Sequence, residues 1–205
     1  MDATVKRPID PGQTLDGRFQ IIRLLGKGGV GEVFEVLDLG THRRRALKVL
    51  QHQFTTDLTT VEEFKREAAA RGIADNHPAI IDVFTIGVLG DGRPFILMEL
   101  LGGEDFEKFS SKLPGHRLPL NEAIAAVLVA ADAVGAAHEK GLLHCDLKPS
   151  NIFRIGPEDY RVLDFGMARL LGTLTPDTGG TPAFSAPEQW IPYGQRTPRT
   201  DVFGL

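Results

Sequence analysis

The most specific chemical pattern in this chain is the stretch HCDLKPSN, residues 144–151. It places a carboxylate at Asp146, an ammonium group at Lys148 and an amide at Asn151. Asp146 is suited to accept a proton from an attacking hydroxyl, and Lys148 is suited to neutralise a negatively charged group during its transfer. Asn151 offers an amide oxygen to a hard cation. The stretch therefore predicts a loop that combines a base, a cation and a metal ligand.

A second carboxylate follows a predicted strand at residues 160–163. It belongs to the tripeptide Asp164-Phe165-Gly166. A carboxylate at the end of a strand suits Mg²⁺ that also holds phosphate oxygens. Taken alone, such a tripeptide is more typical of an ordinary turn. Further along, Ala186-Pro187-Glu188 closes a loop that is rich in threonine and glycine.

Glycines recur upstream at residues 26–33, which read GKGGVGEV and fit the pattern G-x-G-x-x-G-x-V. Glycines let a backbone approach a polyphosphate closely and turn its amide N–H groups towards the oxygens. Dinucleotide-binding proteins share this spacing, but there a helix follows the loop. Residues 32–38 instead have the pattern of a strand, which argues against a nicotinamide-dependent dehydrogenase. A glycine-rich hairpin turn without a ligand remains an alternative.

Lys48 lies in the next predicted strand, residues 44–50. A single lysine on a strand is usually a solvated surface residue. Downstream of a glycine loop, it becomes a candidate for holding phosphate oxygens as a point charge. Such a lysine needs a carboxylate to orient it, and Glu67 on the predicted helix 60–74 is the best candidate, with Glu62 and Glu63 as competitors.

The hydrophobic pattern predicts an α+β fold with a strand-rich first half and a helix-led second half. Residues 1–14 form a loose lead-in, and the boundary between the halves lies near residues 100–103. A long alanine-rich helix is predicted at residues 120–140, with Gly141 just past its end. The remaining strands are predicted at residues 19–25, 80–87 and 94–100, and residues 141–144 form a short apolar run.

Composition narrows the possible partners. The chain has 205 residues, with 23 Lys and Arg against 27 Asp and Glu, and a formal net charge of −4. This balance gives no electrostatic reason to expect nucleic acid. The single cysteine, Cys145, excludes an internal disulfide and fits a cytoplasmic protein. The apolar stretch 123–137 is too short to cross a bilayer, so no membrane segment is predicted.

Five phrases occur together in the chain: LGKGGVGEVFEV, ALKVL, HCDLKPSN, DFG and GTPAFSAPEQ. In this order and spacing, the chain resembles a eukaryotic-like serine/threonine protein kinase of the bacterial type, over residues 15–205. The resemblance implies a bilobal protein-kinase fold. Residues 15–101 would form an N-lobe with an antiparallel sheet and one helix, and residues 102–205 part of a mostly helical C-lobe. It implies transfer of the γ-phosphate of ATP, with Mg²⁺, to Ser/Thr hydroxyls of proteins.

The resemblance also implies residue roles. Asp146 would be the catalytic base, Lys148 a catalytic cation, Asn151 and Asp164 the magnesium ligands, and Thr181 the threonine that bonds the catalytic loop. Within the nucleotide site, Lys48 would bind the α/β-phosphates and pair with Glu67, Met98 would be the gatekeeper, and residues 99–101 the hinge that meets adenine. Val33, Ala46 and Phe153 would enclose the adenine ring. The full nucleotide-binding set is Leu25, Gly26, Lys27, Gly28, Gly29, Val30, Gly31, Val33, Ala46, Lys48, Glu67, Met98, Glu99, Leu101, Phe153 and Asp164.

Two features depart from the family pattern. Cys145 replaces the usual arginine of His-Arg-Asp, so we expect activity that does not depend on phosphorylation of Thr173, Thr175 or Thr178. The chain also ends in the first turn of the helix that normally anchors the catalytic loop, so we expect an incomplete C-lobe, with apolar surface exposed near Trp190 and on the alanine-rich helix. A partner or a missing segment would complete it. The alternative function is a truncated, weak or inactive kinase fold that serves as a nucleotide-binding or regulatory interaction module.

Overall fold

The computed structural model describes residues 9–58, 60–62, 64, 77–165, 168–173 and 180–205. They fall into two compact units. The first unit takes its residues from Met1–Lys65 and Val83–Leu100, and the second from Arg66–Asp82 and Leu101–Leu205. Each unit buries its own apolar cluster, and each is described by itself.

The first unit contains an antiparallel sheet of six strands in the order β1-β2-β3-β4-β6-β5. Its strands are β1 (Thr14–Leu15), β2 (Phe19–Lys27), β3 (Gly31–Asp38), β4 (Arg43–Leu50), β5 (Val83–Val88) and β6 (Pro94–Met98). The glycine-rich segment is the turn between β2 and β3, and a turn at residues 90–92 joins β5 to β6. The hairpins predicted at both places are confirmed.

The apolar side of this sheet follows from alternation along each strand. Phe34 and Val36 on β3 and Leu47 and Val49 on β4 point to the same face, because successive side chains in a strand alternate between faces. The other buried members of the cluster are Ile9, Phe19, Ile21, Leu89, Phe95 and Leu97. Gly87 makes room for it, since a Cβ there would lie 2.6 Å from the ring of Phe95.

One predicted strand boundary differs in the structure, and most of the predicted helix 60–74 lies outside the described residues. Strand β5 begins at Val83 rather than at Ile80, because Ile80 forms an isolated parallel bridge with Val162 of the second unit, to which it also belongs. Of the predicted helix 60–74, the structure describes helical residues 60–62 and 64. Glu63 and Glu67 lie outside the described residues.

In the described ranges, the second unit contains three α-helices: α1 (Phe106–Ser111), α2 (Leu120–Glu139) and α3 (Pro198–Gly204). Its strands are β7 (Glu104–Asp105), β8 (Leu142–Leu143), β9 (Ile152–Gly156), β10 (Asp159–Val162) and β11 (Arg169–Leu170). They form a three-stranded sheet in the order β10-β9-β7 and a two-stranded pair of β11 with β8.

Helix α2 forms the centre of the second unit. Gly141 follows it with φ of +74°, the left-handed conformation that ends helices and that glycine adopts without strain. Its buried face carries mostly small residues: Ala126, Ala130, Ala133, Val134 and Ala137. By length and composition α2 is long enough to cross a membrane, contrary to the expectation from the shorter apolar stretch. A single helix of this length and hydropathy is weak evidence for a membrane span, because the core helices of soluble proteins have the same properties.

The opposite face of α2 carries large apolar side chains. Leu120 is 75% exposed, Ile124 50% and Leu128 64%. Trp190 is also exposed, as are Val202 and Phe203 on α3. The expectation of exposed apolar surface near Trp190 and on the alanine-rich helix is therefore confirmed.

Candidate active site

The predicted loop of base, cation and amide forms one hydrogen-bonded group in the second unit. The ammonium of Lys148 donates to Asp146 Oδ2 at 2.7 Å and to the hydroxyl of Thr181 at 2.8 Å. Thr181 in turn donates to Asp146 Oδ1 at 3.0 Å. Both carboxylate oxygens of Asp146 are thus held in place, with the side chain 14% exposed. The group has a fixed carboxylate within reach of solvent, which is what a base that meets an incoming hydroxyl requires.

Asn151 and the strand that leads to Asp164 join the same group. The Nδ2 of Asn151 donates to the carbonyl of Asp146 at 2.8 Å, which identifies Oδ1 as the acceptor atom of that amide. The carbonyl of Asn151 accepts the N–H of Leu163 at 2.8 Å. Asp164 follows directly and has φ of +65°, an uncommon conformation for a non-glycine residue that recurs at functional sites.

Asp201, on α3, anchors the backbone of this loop. Its carboxylate accepts the N–H of His144 at 2.8 Å and the N–H of Cys145 at 2.7 Å. His138, in the last turn of α2, donates from Nε2 to the same carboxylate at 2.7 Å. The family resemblance predicts that the helix at the end of the chain, α3, anchors the loop, but it names no residue for this role. The one sequence feature that could have pointed to Asp201 is an acidic residue directly before the apolar pair Val202 and Phe203.

Burial and charge set the ionisation states around this anchor. Burial alone would raise the pKa of Asp201, but the hydrogen bond from His138, the nearby His144 and the two backbone N–H groups outweigh it and hold the pKa below its ordinary value. Burial, with the Asp201 carboxylate close by, raises the pKa of the Cys145 thiol to about 12. The thiol is therefore protonated at neutral pH, as expected of a buried structural cysteine rather than a reactive one.

In the first unit, the strand register gathers another set of predicted residues. Val33 on β3 pairs with Lys48 on β4, and Ala46 on β4 pairs with Met98 on β6. Paired residues share a face, and residues two apart in a strand do so as well. Val33, Ala46, Lys48 and Met98 therefore share the face opposite the apolar cluster.

The glycine loop lies against Lys48. A Cβ on Gly31 would be in van der Waals contact with Lys48 Cγ at 3.6 Å and would crowd the carbonyl oxygen of Val49 at 3.1 Å. The turn is closed by a hydrogen bond from the N–H of Gly28 to the carbonyl of Gly31 at 2.8 Å. Lys27, at the edge of the turn, forms an ion pair with Glu32 at 2.9 Å. This compact turn therefore places a glycine-lined surface beside the side chain of Lys48.

The remaining predicted residues are placed as follows. Leu25 and Gly26 lie on β2, Gly29 and Val30 in the turn, and Phe153 on β9. Glu99 belongs to the first unit and Leu101 to the second. Glu67, with Gly166, Thr175 and Thr178, lies outside the described residues.

Comparison with known proteins decides the family. The family model described as the protein kinase domain matches residues 19–205. The chain belongs to the protein kinase family. A kinase-domain crystal structure, 18% identical in sequence, matches with a TM-score of 0.83 over 99% of this chain and 66% of its own, so the predicted protein-kinase fold is confirmed. The strand β3 directly after Gly31 agrees with this and not with the dehydrogenase alternative.

Three similar kinases come from bacteria. Serine/threonine-protein kinase PknA of Mycobacterium tuberculosis is 35% identical over 202 residues, covering 95% of this chain and 46% of PknA. Serine/threonine-protein kinase pkn2 of Myxococcus xanthus is 36% identical, covering 93% of this chain and 24% of its own. The PknI kinase domain of Mycobacterium tuberculosis is 30% identical, with a TM-score of 0.68 over 83% of this chain and 67% of that one. This chain thus spans less than half the length of PknA and pkn2.

The oxygen atoms of Asn151 and Asp164 are suited to a metal ion that is also bound by a substrate. In the described ranges, no group of three His, Cys, Asp or Glu side chains is arranged to hold a metal ion. Asn151 Oδ1 and the Asp164 carboxylate are oxygen ligands of the kind that Mg²⁺ prefers, and Mg²⁺ usually completes its shell with phosphate oxygens and water. The residues present therefore fit a magnesium ion that arrives with a nucleotide.

Proposed function

We propose that this chain is the catalytic part of a serine/threonine protein kinase that transfers the γ-phosphate of ATP to protein hydroxyls. The observation that carries the proposal is the hydrogen-bonded group of Asp146, Lys148 and Thr181, with Asn151 bonded to the backbone of Asp146. The bacterial relatives, which are serine/threonine-protein kinases, support the same activity.

In this proposal Asp146 orients the substrate hydroxyl and accepts its proton as the oxygen attacks phosphorus. Lys148 supplies positive charge to the phosphoryl group in transfer. Thr181 holds one carboxylate oxygen of Asp146, so that the base keeps its orientation while Lys148 meets the phosphate. Transfer of a phosphoryl group asks a protein mainly for positioning and charge neutralisation, and these residues supply both.

Each unit, taken by itself, carries residues that this proposal assigns to the nucleotide. In the first unit, the N–H groups of the glycine loop and the ammonium of Lys48 would meet phosphate oxygens, with Val33, Ala46 and Met98 on the same sheet face. In the second unit, Asn151 and Asp164 would hold Mg²⁺, which supplies positive charge that neutralises the phosphates. Glu67 remains the proposed partner of Lys48.

The test is transfer of ³²P from [γ-³²P]ATP to a generic basic protein. We expect incorporation that needs Mg²⁺, stops when EDTA is added, and appears as phosphoserine and phosphothreonine on acid hydrolysis. Mg·ATP should also raise the melting temperature, because a ligand that binds the folded state stabilises it by mass action. Incorporation no higher than that of an Asp146→Asn variant would reject the enzyme.

The same assay addresses the alternative. A melting temperature raised by Mg·ATP without any transfer would favour a nucleotide-binding module. The exposed apolar residues of α2 and α3 are the observation in favour of an interaction role. Neither a melting shift nor transfer would reject both functions.

Activation without loop phosphorylation is a separate prediction. Cys145 is a buried thiol with a pKa of about 12, so it carries no charge with which to hold a phosphate. A triple variant with alanine at Thr173, Thr175 and Thr178 is therefore expected to retain transfer to within about threefold of the parent. Initial rates against the phosphatase-treated parent measure this. A fall of roughly a hundredfold would show that loop phosphorylation is required after all.

A further inference from the structure

The peptide bond directly before Asp146 is held by a second buried side chain, Gln189. This residue lies in the short 3₁₀ helix Pro187–Trp190 and is 2% exposed. Its Nε2 donates to the carbonyl of Cys145 at 2.7 Å, and its Oε1 accepts the N–H of Ala186 at 3.0 Å. A buried amide with both ends bonded has a single orientation, because turning it over would place donor against donor and acceptor against acceptor.

The backbone at Cys145 needs such support. Cys145 has φ of +64°, a left-handed conformation that costs a non-glycine residue free energy and persists where its surroundings determine it. Asp201 accepts the N–H of Cys145, and Gln189 donates to its carbonyl. The N–H of Asp146, on the far side of the same peptide bond, donates to Nδ1 of His144 at 3.3 Å. The peptide plane that leads into Asp146 is therefore held at both its oxygen and its nitrogen.

The amide of Gln189 also lies near the segment that holds the other side of Asp146. Gly180 has φ of +138°, and a Cβ there would lie 3.3 Å from Gln189 Nε2 and would collide with the hydroxyl of Ser185. Gly180 precedes Thr181, whose hydroxyl donates to Asp146 Oδ1. The amide of Gln189 thus bonds to the backbone before Asp146 and leaves little room for a side chain at Gly180.

We propose that Gln189 is a positioning residue for phosphoryl transfer: it fixes the Cys145–Asp146 peptide, and through that peptide the proposed base. The proposal rests on the function proposed above. Gln189 meets neither phosphate nor metal in this scheme, so its loss is expected to reduce the rate of the chemical step without weakening the binding of ATP. Misplacing a catalytic group by an ångström is enough to cost orders of magnitude in rate.

The test compares Gln189→Met with Gln195→Met. Methionine is close to glutamine in length and volume but makes no such hydrogen bonds, and Gln195 is an exposed glutamine in the same segment. For Gln189→Met we expect kcat to fall roughly tenfold to a hundredfold, with KM for ATP within about twofold of the parent. Gln189→Glu keeps the acceptor for Ala186 but loses the donor to Cys145. Its kcat should also fall while its KM for ATP stays near that of the parent. Gln195→Met should match the parent.

A second measurement does not depend on activity. Hydrogen exchange of the backbone amides in residues 144–148 is expected to be about tenfold faster in Gln189→Met, with exchange in α2 unchanged. Unchanged exchange in residues 144–148, or a loss of kcat matched by an equal rise in KM for ATP, would overturn the positioning role. If the parent itself transfers no phosphate, the kinase proposal fails, and the exchange measurement still decides whether Gln189 holds the loop.

Discussion

Replacement of Asp146 with asparagine is expected to lower phosphoryl transfer by about a thousandfold, the largest change in activity that we expect from a single substitution. Asparagine has the shape of aspartate but cannot take a proton at neutral pH. The substrate hydroxyl would then have to lose its proton to water or to a phosphate oxygen. The loss should therefore appear in kcat, with little change in the affinity for ATP.

The surrounding bonds explain why this variant is expected to fold. Asp146 Oδ1 accepts a hydrogen bond from Thr181, and Oδ2 accepts one from Lys148 and a longer one, at 3.3 Å, from Asn151. An asparagine Oδ1 keeps one of these bonds, and the side chain of Asp146 is partly solvated, so water can satisfy what remains. The stability cost is expected to be about 1 kcal/mol, the ordinary value of one hydrogen bond. The melting temperature should accordingly stay near that of the parent.

The measurement is the initial rate of ³²P transfer at saturating Mg·ATP, together with the melting shift caused by Mg·ATP. Asp159→Asn is the matched control, because Asp159 on β10 makes an ion pair with Arg161 and is 50% exposed in its side chain. This control should keep the parent rate. If Asp146→Asn retained more than about a tenth of the parent rate, Asp146 would not be the base.

Much of the first unit was predictable because its pattern is local. Phe34, Val36, Leu47 and Val49 alternate with residues of the other face, and period-2 alternation is a direct consequence of strand geometry. The glycine turn between β2 and β3 was predictable for the same reason. Which residues of neighbouring strands stand side by side is a tertiary property. The pairing of Val33 with Lys48 therefore had to be observed.

The catalytic loop divides in the same way. Asp146, Lys148 and Asn151 are close in sequence, so their composition alone indicated their chemistry. Thr181 lies 35 positions from Asp146 and was named only through the family resemblance. Gln189 was not recognised at all, because a buried glutamine looks the same in a sequence as one on the surface. Its role depends on a contact across 44 positions that no spacing rule encodes.

For helix α2, hydropathy does not predict which face is buried. The sequence predicted the helix and its end at Gly141, but simple hydropathy would bury its largest apolar residues. The structure buries alanines instead, and Leu120, Ile124 and Leu128 are exposed. Small side chains let neighbouring elements approach the helix closely, so the packed face is the one with least side-chain volume. The residue types alone do not determine which face is buried when both are apolar.

The second large effect concerns stability. Replacement of Asp201 with alanine is expected to destabilise the second unit by about 3–5 kcal/mol, the usual cost of removing one partner from a buried polar network. Its carboxylate is fully buried and accepts three hydrogen bonds, from His138, His144 and Cys145. Without it, two backbone N–H groups and an imidazole are left in the interior without an acceptor. Asp159→Ala, which removes a partly exposed ion pair, should cost less than about 1 kcal/mol.

Urea unfolding followed by the fluorescence of Trp190, the single tryptophan, measures this, because Trp190 belongs to the second unit. The midpoint should fall for Asp201→Ala with a similar slope, and barely move for Asp159→Ala. A midpoint equal to that of the parent would mean that the loop backbone does not depend on this carboxylate.

The stability that Asp201 contributes is expected to decrease as the pH falls. The pKa of Asp201 in the folded protein lies below its ordinary value of 3.8, so the folded state favours the charged carboxylate more than the unfolded state does. The stability that it contributes is therefore fully present above that ordinary value, and is lost as the pH falls through the folded pKa. The side chains of His138 and His144 and the thiol of Cys145 lie beside this carboxylate. The midpoint difference between parent and Asp201→Ala should be largest near neutral pH and shrink as the pH falls below about 4. A difference that grew on acidification would contradict the depressed pKa, and with it the assignment of Asp201 as a charged anchor of the catalytic loop.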